Sequence, residues 1–280
     1  MKRFLKLLSF EFNRLTKMYV VLLCLTLIFQ FLGVILTSEK YMGRVNKAMQ
    51  EGLTQTNVLE QVGPLHFSQI LNGSWFRFSI MMGVIVFGLF IFWIWYREWL
   101  GKNTFIYRLL MLPMSRLSIY FAKLGAILLG VFGLIAFQLL LLPCEMKLFQ
   151  WIVPQAFSRD STLTGELWAG SGVGSIFNII LPQAANEFFV YYAIGIMGVL
   201  ILFTAILFER SFHFIGIIFG VLYTGVALLV FLAPIIVDIS ILRDYFYPVE
   251  LFGLEVTFGL VVSLASVGTS HYLLRRRITV

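Results

Sequence analysis

Six stretches of the chain carry no charged residue and are almost wholly apolar: 18–38, 78–96, 124–144, 188–208, 214–237 and 256–274. Each is long enough, at about 1.5 Å of rise per residue, to cross about 30 Å of hydrocarbon as an α-helix. A charge at mid-membrane costs about 2.5 to 3.5 kcal/mol, so charge-free runs of this length predict six transmembrane helices. Spans four and five are separated by Glu209 and Arg210, with residues 211–213 taken into the turn, which predicts a tight hairpin. Ahead of the first span, Met1, Phe4, Leu5, Leu8, Phe12 and Leu15 share one helical face, and Lys2, Arg3, Lys6, Asn13 and Lys17 gather opposite. Residues 1–17 therefore read as an amphipathic elbow helix lying along the membrane surface, with Phe4, Leu8 and Phe12 in the acyl boundary. The plainer reading of the same residues is a topology signal. The first run is too long for a cleavable signal peptide, and no small-x-small site follows Leu36, so the first span is expected to be retained.

Two segments of about 40 residues, 39–77 and 145–187, connect spans one to two and three to four. Neither is long enough for a large independent domain. The second holds Leu148, Trp151, Ile152 and Phe157, then Gly170-Ser-Gly-Val-Gly174 and an apolar run over 176–181, as expected for interfacial or re-entrant helices around a glycine hinge. These glycines neither follow a strand nor precede a Lys-Ser/Thr pair, so they form neither a dinucleotide fingerprint nor a phosphate loop.

Composition confirms the membrane class. The chain of 280 residues is 60% hydrophobic and only 12% charged, with a mean hydropathy of +0.91, whereas soluble domains carry about a quarter charged residues. A soluble enzyme, a disordered chain and a β-barrel of short alternating strands are all excluded as fold classes. The expected fold is an all-α integral membrane protein.

Charge then supplies orientation. Of the 21 basic residues, 14 lie in the N-terminal segment, in 97–123, at Arg210 and in the tail Arg275, Arg276 and Arg277, where only Glu11, Glu98 and Glu209 oppose them. By the positive-inside rule, both termini are expected in the cytoplasm. The net charge of +7 points to anionic lipid headgroups. With no basic, aromatic-interleaved stretch in a water-exposed domain, it does not point to nucleic acid. The expected location is a bacterial plasma membrane, crossed several times.

Little chemistry is available. His66 and His213 fall on opposite faces of the membrane, His271 reads as a headgroup or packing residue beside the basic tail, and Cys24 and Cys144 fall at different depths, so neither a metal centre nor a disulfide is expected. No His-Glu-x-x-His, no nucleotide-binding loop and no serine with a histidine base at plausible depth occurs. Gln30, Gln138 and Glu255 are the polar residues at depth, with Glu255 either at the outer interface or facing a pathway. Gly216 and Gly220 form a small-x-x-x-small face in span five, read as helix packing within the chain or as a subunit contact.

The segment 97–123 is the most informative. Phe105, Leu109 and Leu112 repeat at helical spacing beside Arg108, and Pro113 stops that helix before Ser115, which can cap the next. It could be no more than a positively charged loop. The series Glu98 … Thr104 … Leu110-Met-Leu-Pro113-Met-Ser115-Arg116 … Lys123, after span two of six and behind an elbow helix, resembles the membrane subunit of the type-2 ATP-binding-cassette exporters. In that family a similar segment forms the coupling helix and its exit into span three. The short connection 238–255 between the last two spans departs from the family, which often concentrates its outer elements there.

The resemblance implies a permease without an ATPase of its own. Glu98, Lys102, Phe105, Arg108, Leu109, Leu112, Pro113 and Arg116 would form the ATPase-coupling segment, with Glu98 or Arg108 making charged contacts at its rim. It also implies cytosolic cassette ATPase subunits, which would bind ATP and Mg, and a second permease subunit, identical or paralogous. The nearly uncharged spans fit an amphipathic or lipophilic cargo, such as an antimicrobial peptide, another lipophilic peptide, a lipid or a drug, better than an ion. Two other classes stay open: a non-transporting immunity or sensor protein binding a toxic peptide at 39–77, and an intramembrane enzyme.

Overall fold

The computed structural model describes residues 2–99, 115–158, 165, 182, 184–242 and 245–277. In chain order they form α1 (Lys2–Gln50), α2 (Gln55–Val62), α3 (Phe67–Leu71), α4 (Ser74–Trp99), α5 (Arg116–Ile152), α6 (Ala185–Val237), a π-helical turn (Asp238–Leu242) and α7 (Pro248–Arg276). Six helical stretches are long and apolar enough to cross a membrane: Lys2–Gln50, Ser74–Trp99, Arg116–Ile152, Asn186–Phe212, Phe214–Ile241 and Val249–Arg276. Each charge-free run read from the sequence lies inside one of them. The chain is an all-α, multi-pass membrane protein.

α1 corrects the sequence reading. No helix ends at Lys17; the 49 residues of α1 are continuous through Lys17 and Met18, a length of about 74 Å. The physical reason is that neither glycine nor proline occurs before Gly33, so nothing breaks the hydrogen-bond ladder. The buried positions are Leu7, Glu11 and Leu15, while Leu5 is 56% exposed and Phe4, Leu8 and Phe12 are half-buried.

Residues Ala185–Val237 are helical, yet the chain folds back within them. A Cβ built on Gly220 would lie 2.8 Å from the Ala205 carbonyl oxygen, and one on Gly216 would meet the Phe208 backbone. Fifteen residues of straight helix would put Ala205 and Gly220 about 22 Å apart. Phe208 also packs on Tyr223, with ring centroids 5.6 Å apart. The charged Glu209-Arg210 pair therefore sits at the bend, as the sequence predicts.

Two compact units divide the chain. Unit 2 comprises 13–87 and 129–188. Its core joins Val34, Tyr41 and Val45 of α1 with Val58 of α2, Phe67 and Leu71 of α3, Phe76 of α4, and Met146, Phe149 and Phe157 in and after α5. The segments after spans one and three thus share one apolar core, although neither is long enough to build one alone. The turn out of α2 places Gly63 at φ 74°, a conformation cheap only for glycine. Its carbonyl accepts from Tyr41, whose hydroxyl hydrogen is shared between Gly63 O at 2.7 Å and Phe157 O at 3.2 Å. The Leu65 amide also donates to Phe157 O, at 3.1 Å.

Tyr41→Phe removes a side-chain donor that bridges Gly63 and Phe157 at this junction and should cost about 1 to 3 kcal/mol locally. Hydrogen exchange of the Leu65 amide, measured in lipid nanodiscs, should speed up about tenfold or more while amides in mid-α5 stay unchanged. An unaltered Leu65 rate would mean that apolar packing alone holds the junction.

Unit 1 comprises 1–12, 88–128 and 189–280. Trp95, Tyr120 and Phe203 pack edge to face around its centre, with Phe203 5.4 Å from Trp95 and 5.3 Å from Tyr120. A ladder of buried hydroxyls joins its last three spans. Thr204 Oγ1 lies 2.9 Å from Ser270 Oγ and donates at 3.1 Å to Ser266 O, and Tyr223 Oη lies 2.8 Å from Ser266 Oγ. Such pairs are worth having in lipid, where an unpaired hydroxyl has no water to turn to.

Candidate functional site

Charge is buried at the end of unit 1 that carries the basic residues. Glu11 in the third turn of α1, Glu98 in the last turn of α4 and Lys123 in the second turn of α5 are each at most 1% exposed. Lys123 Nζ lies 2.7 Å from Glu98 Oε1, 3.2 Å from Glu11 Oε1 and 3.1 Å from the Ile94 carbonyl oxygen. Three acceptors meet the three hydrogens of one ammonium group, which is the condition for holding such a charge out of water. The Trp95 ring adds a cation–π contact, 5.2 Å from Nζ to its centroid.

Two further ties surround this one. Tyr96 donates its hydroxyl to Glu209 at the bend of α6, and the Arg210 guanidinium stacks 4.5 Å over the Tyr96 ring. Arg116, at the start of α5, donates to the carbonyl of Leu274 in the last turn of α7. That carbonyl belongs to the final four of a helix, which have no partner inside it, and a cation there also meets the negative end of the helix dipole. The outcome is a set of helix ends pinned together: α4 to α1 and α5 through Lys123, α4 to the α6 bend through Tyr96, and α5 to α7 through Arg116.

The sequence-predicted coupling residues divide accordingly. Lys102, Phe105, Arg108, Leu109, Leu112 and Pro113 lie outside the described residues. Glu98 and Arg116 flank that segment, and both are spent on internal ties. Glu98 corrects the sequence reading in one respect: at 0% exposure it is no rim contact for an external protein, because its charge is taken up by Lys123. Phe4 borders an open, mostly apolar groove of about 630 Å³ shared with Ser118, Phe121 and Leu128, and Leu8 packs against Gly125. Gly216 and Gly220 face the other arm of their own hairpin.

Sequence reasoning passed over Glu11, Tyr96 and Glu209 as functional residues and met Lys123 only as the last position of the motif. One signal was present: Glu11 is spaced four residues from both Leu7 and Leu15, so a charge stands in line with an apolar stripe. Both cysteines are free and exposed, and no group of three metal-ligating side chains occurs among the described residues. Chemically the arrangement holds helices in register; it offers no nucleophile beside a base. Comparison with protein-family models, with curated proteins and with solved structures finds no match.

Proposed function

We propose that the chain is the membrane-spanning permease subunit of an ATP-driven exporter, with both termini in the cytoplasm of a bacterial cell. The observation that carries this reading is the buried Glu11–Lys123–Glu98 set. It pins together the two helix ends that flank residues 100–114, so a displacement applied to that segment would pass into α4 and α5 together instead of being lost in independent helix motion. A subunit driven from outside the membrane needs such a foot; a passive anchor does not. The energy would come from cytosolic cassette ATPases holding ATP and Mg, a second permease subunit would complete the transporter, and the cargo would be an amphipathic or lipophilic molecule.

Purification of the full chain from its native membrane, followed by ATPase assay of the complex in lipid, tests the reading. An ATPase should co-purify. Arg108→Glu should then abolish cargo-stimulated hydrolysis and transport together, since like charges at a contact can cost several kcal/mol, without lowering abundance. Absence of any ATPase discards the exporter.

A second reading draws on a different observation. The core formed by Tyr41, Val58, Phe67 and Phe157 gives the segment 39–77 a folded surface, as an immunity or sensor protein binding a toxic peptide would require. That protein would bind the peptide with no ATPase present.

A further inference from the structure

Unit 2 buries a polar line inside apolar surroundings. Gln30 Nε2 donates to Gln138 Oε1 at 2.6 Å, yet among the described residues Gln30 Oε1 and Gln138 Nε2 have no hydrogen-bond partner, and neither do the hydroxyls of Ser38 and Ser79. Packing of Gly83 on Leu134 and of Gly130 on Phe87 sets an antiparallel register that brings Ser79 to the level of Gln138. Two turns further along the same face of α5 comes Glu145, since residues seven apart nearly eclipse. Its side chain is 0% exposed, and neither carboxyl oxygen has a hydrogen-bond partner among the described residues.

Among the described residues, the neighbours of Glu145 supply no cation. Beside it on α5, Leu142, Met146 and Phe149 belong to the apolar core, as do Val34, Tyr41 and Val45 of α1, Val58 of α2, Phe67 of α3 and Phe76 of α4. Tyr41 is the ionisable group among them, and its hydroxyl is engaged by Gly63 and Phe157. The charged residues of these helices, Glu39, Lys40, Arg44 and Lys47 of α1, Glu60 of α2, Arg77 of α4 and Lys147 of α5, are exposed; His66 before α3 and Glu187 in α6 are half-buried.

A carboxylate with no donor and no cation in such a place costs far more than a neutral acid. We propose that Glu145 is a hydron-binding site: its carboxyl holds one proton while the unit 2 core is closed, and loss of that proton opens the core around it. α5 is built to yield there, because Pro143, two residues away, removes the backbone hydrogen bond to the Leu139 carbonyl. The sign follows from linkage. In the open state the carboxyl gives up its proton above about pH 4, whereas the closed state keeps it, so the closed core is favoured by acid and weakens as pH rises. The inference is independent of the exporter reading.

Two measurements on the full chain in lipid nanodiscs test it. Wild-type protein is treated with a hydrophobic carbodiimide, which reacts with protonated carboxyls, and Glu145 labelling is followed by mass spectrometry from about pH 5 to about pH 9. Labelling should occur near neutrality and fall at least tenfold across the range. Hydrogen exchange of residues 142–153, corrected for its intrinsic pH dependence, should rise at least tenfold over the same range in wild type. In Glu145→Gln, a neutral isostere, it should stay flat and at least as slow as in acid. Absence of labelling at every pH, or the same pH-dependent opening in Glu145→Gln, overturns the proposal. If Glu145→Gln does not insert, the carbodiimide profile of the wild type decides alone.

Discussion

Lys123→Met should destabilise the protein by about 3 to 5 kcal/mol, enough to deplete it from the membrane. The methionine fills much the same volume, so packing is not the cause. What is lost is the one ammonium group that Glu98 and Glu11 share at 2.7 and 3.2 Å, leaving two carboxylates buried side by side without it. The same logic predicts rescue. Adding Glu11→Gln and Glu98→Gln to Lys123→Met replaces the ion set by neutral groups of the same shape and should restore most of the stability, because an intact buried ion set contributes little beyond an uncharged one while a broken set costs a great deal. Thermal denaturation in lipid nanodiscs, with abundance in membranes alongside, would show both effects. A single variant as stable as wild type would mean that water reaches the site and the charges are not desolvated. If the exporter reading holds, the rescued triple variant should remain folded but transport poorly, since it keeps the shape of the foot while losing the ties.

Substitution at the hairpin should produce the next largest loss. Gly220→Ala puts a methyl group 2.8 Å from the Ala205 carbonyl oxygen, and Gly216→Ala drives one into the Phe208 backbone. In both cases the obstacle is main chain, which cannot rotate aside, so the two arms of α6 must part. Overpacking of this kind costs about 1 to 3 kcal/mol, and Gly216→Ala, with the closer approach, should exceed Gly220→Ala. Gly225→Ala is the internal control: nothing lies within 4 Å of a Cβ there, and alanine favours the helix. Melting in nanodiscs should rank the three variants in that order. Equal melting points for Gly216→Ala and Gly225→Ala would show that the arms do not touch.

The spans were legible in the sequence because each is a local property. A run such as 188–208 declares itself by the absence of charge, and the Glu209-Arg210 pair marks the bend because two charges have nowhere else to go. The rest depended on partners distant in the chain. The apolar face drawn through Phe4, Leu8 and Phe12 is a local pattern, whereas the inward face of Leu7, Glu11 and Leu15 depends on Lys123, 112 residues away from Glu11. α1 also runs on past Ser38 through Glu39, Lys40 and Arg44, charges that read as the end of a span. They are tolerated because one face of that extension, Tyr41 and Val45, meets Phe157 and Val58, a pairing that no local pattern announces. Of the candidate site, Glu98, Arg116 and Lys123 stand in the motif, while Glu11 and Leu274, which complete their ties, come from other helices.

The six spans differ widely in how much protein they touch. Within its most apolar window, Asn186–Phe212 has 44% of its residues buried, Phe214–Ile241 has 17% and Val249–Arg276 has 11%. Side chains such as Phe214, Val221 and Leu264, all more than two-thirds exposed, find no cover within the described chain and depend on what surrounds it in the membrane, acyl chains or a second subunit. For these last two helices the surroundings in the membrane do the work that a hydrophobic core does elsewhere. Their position answers to hydrocarbon thickness as much as to the hydroxyl ladder that ties them to span four. A thinner or shorter-chained environment tilts them first, which makes lipid composition a structural parameter of this protein in its own right.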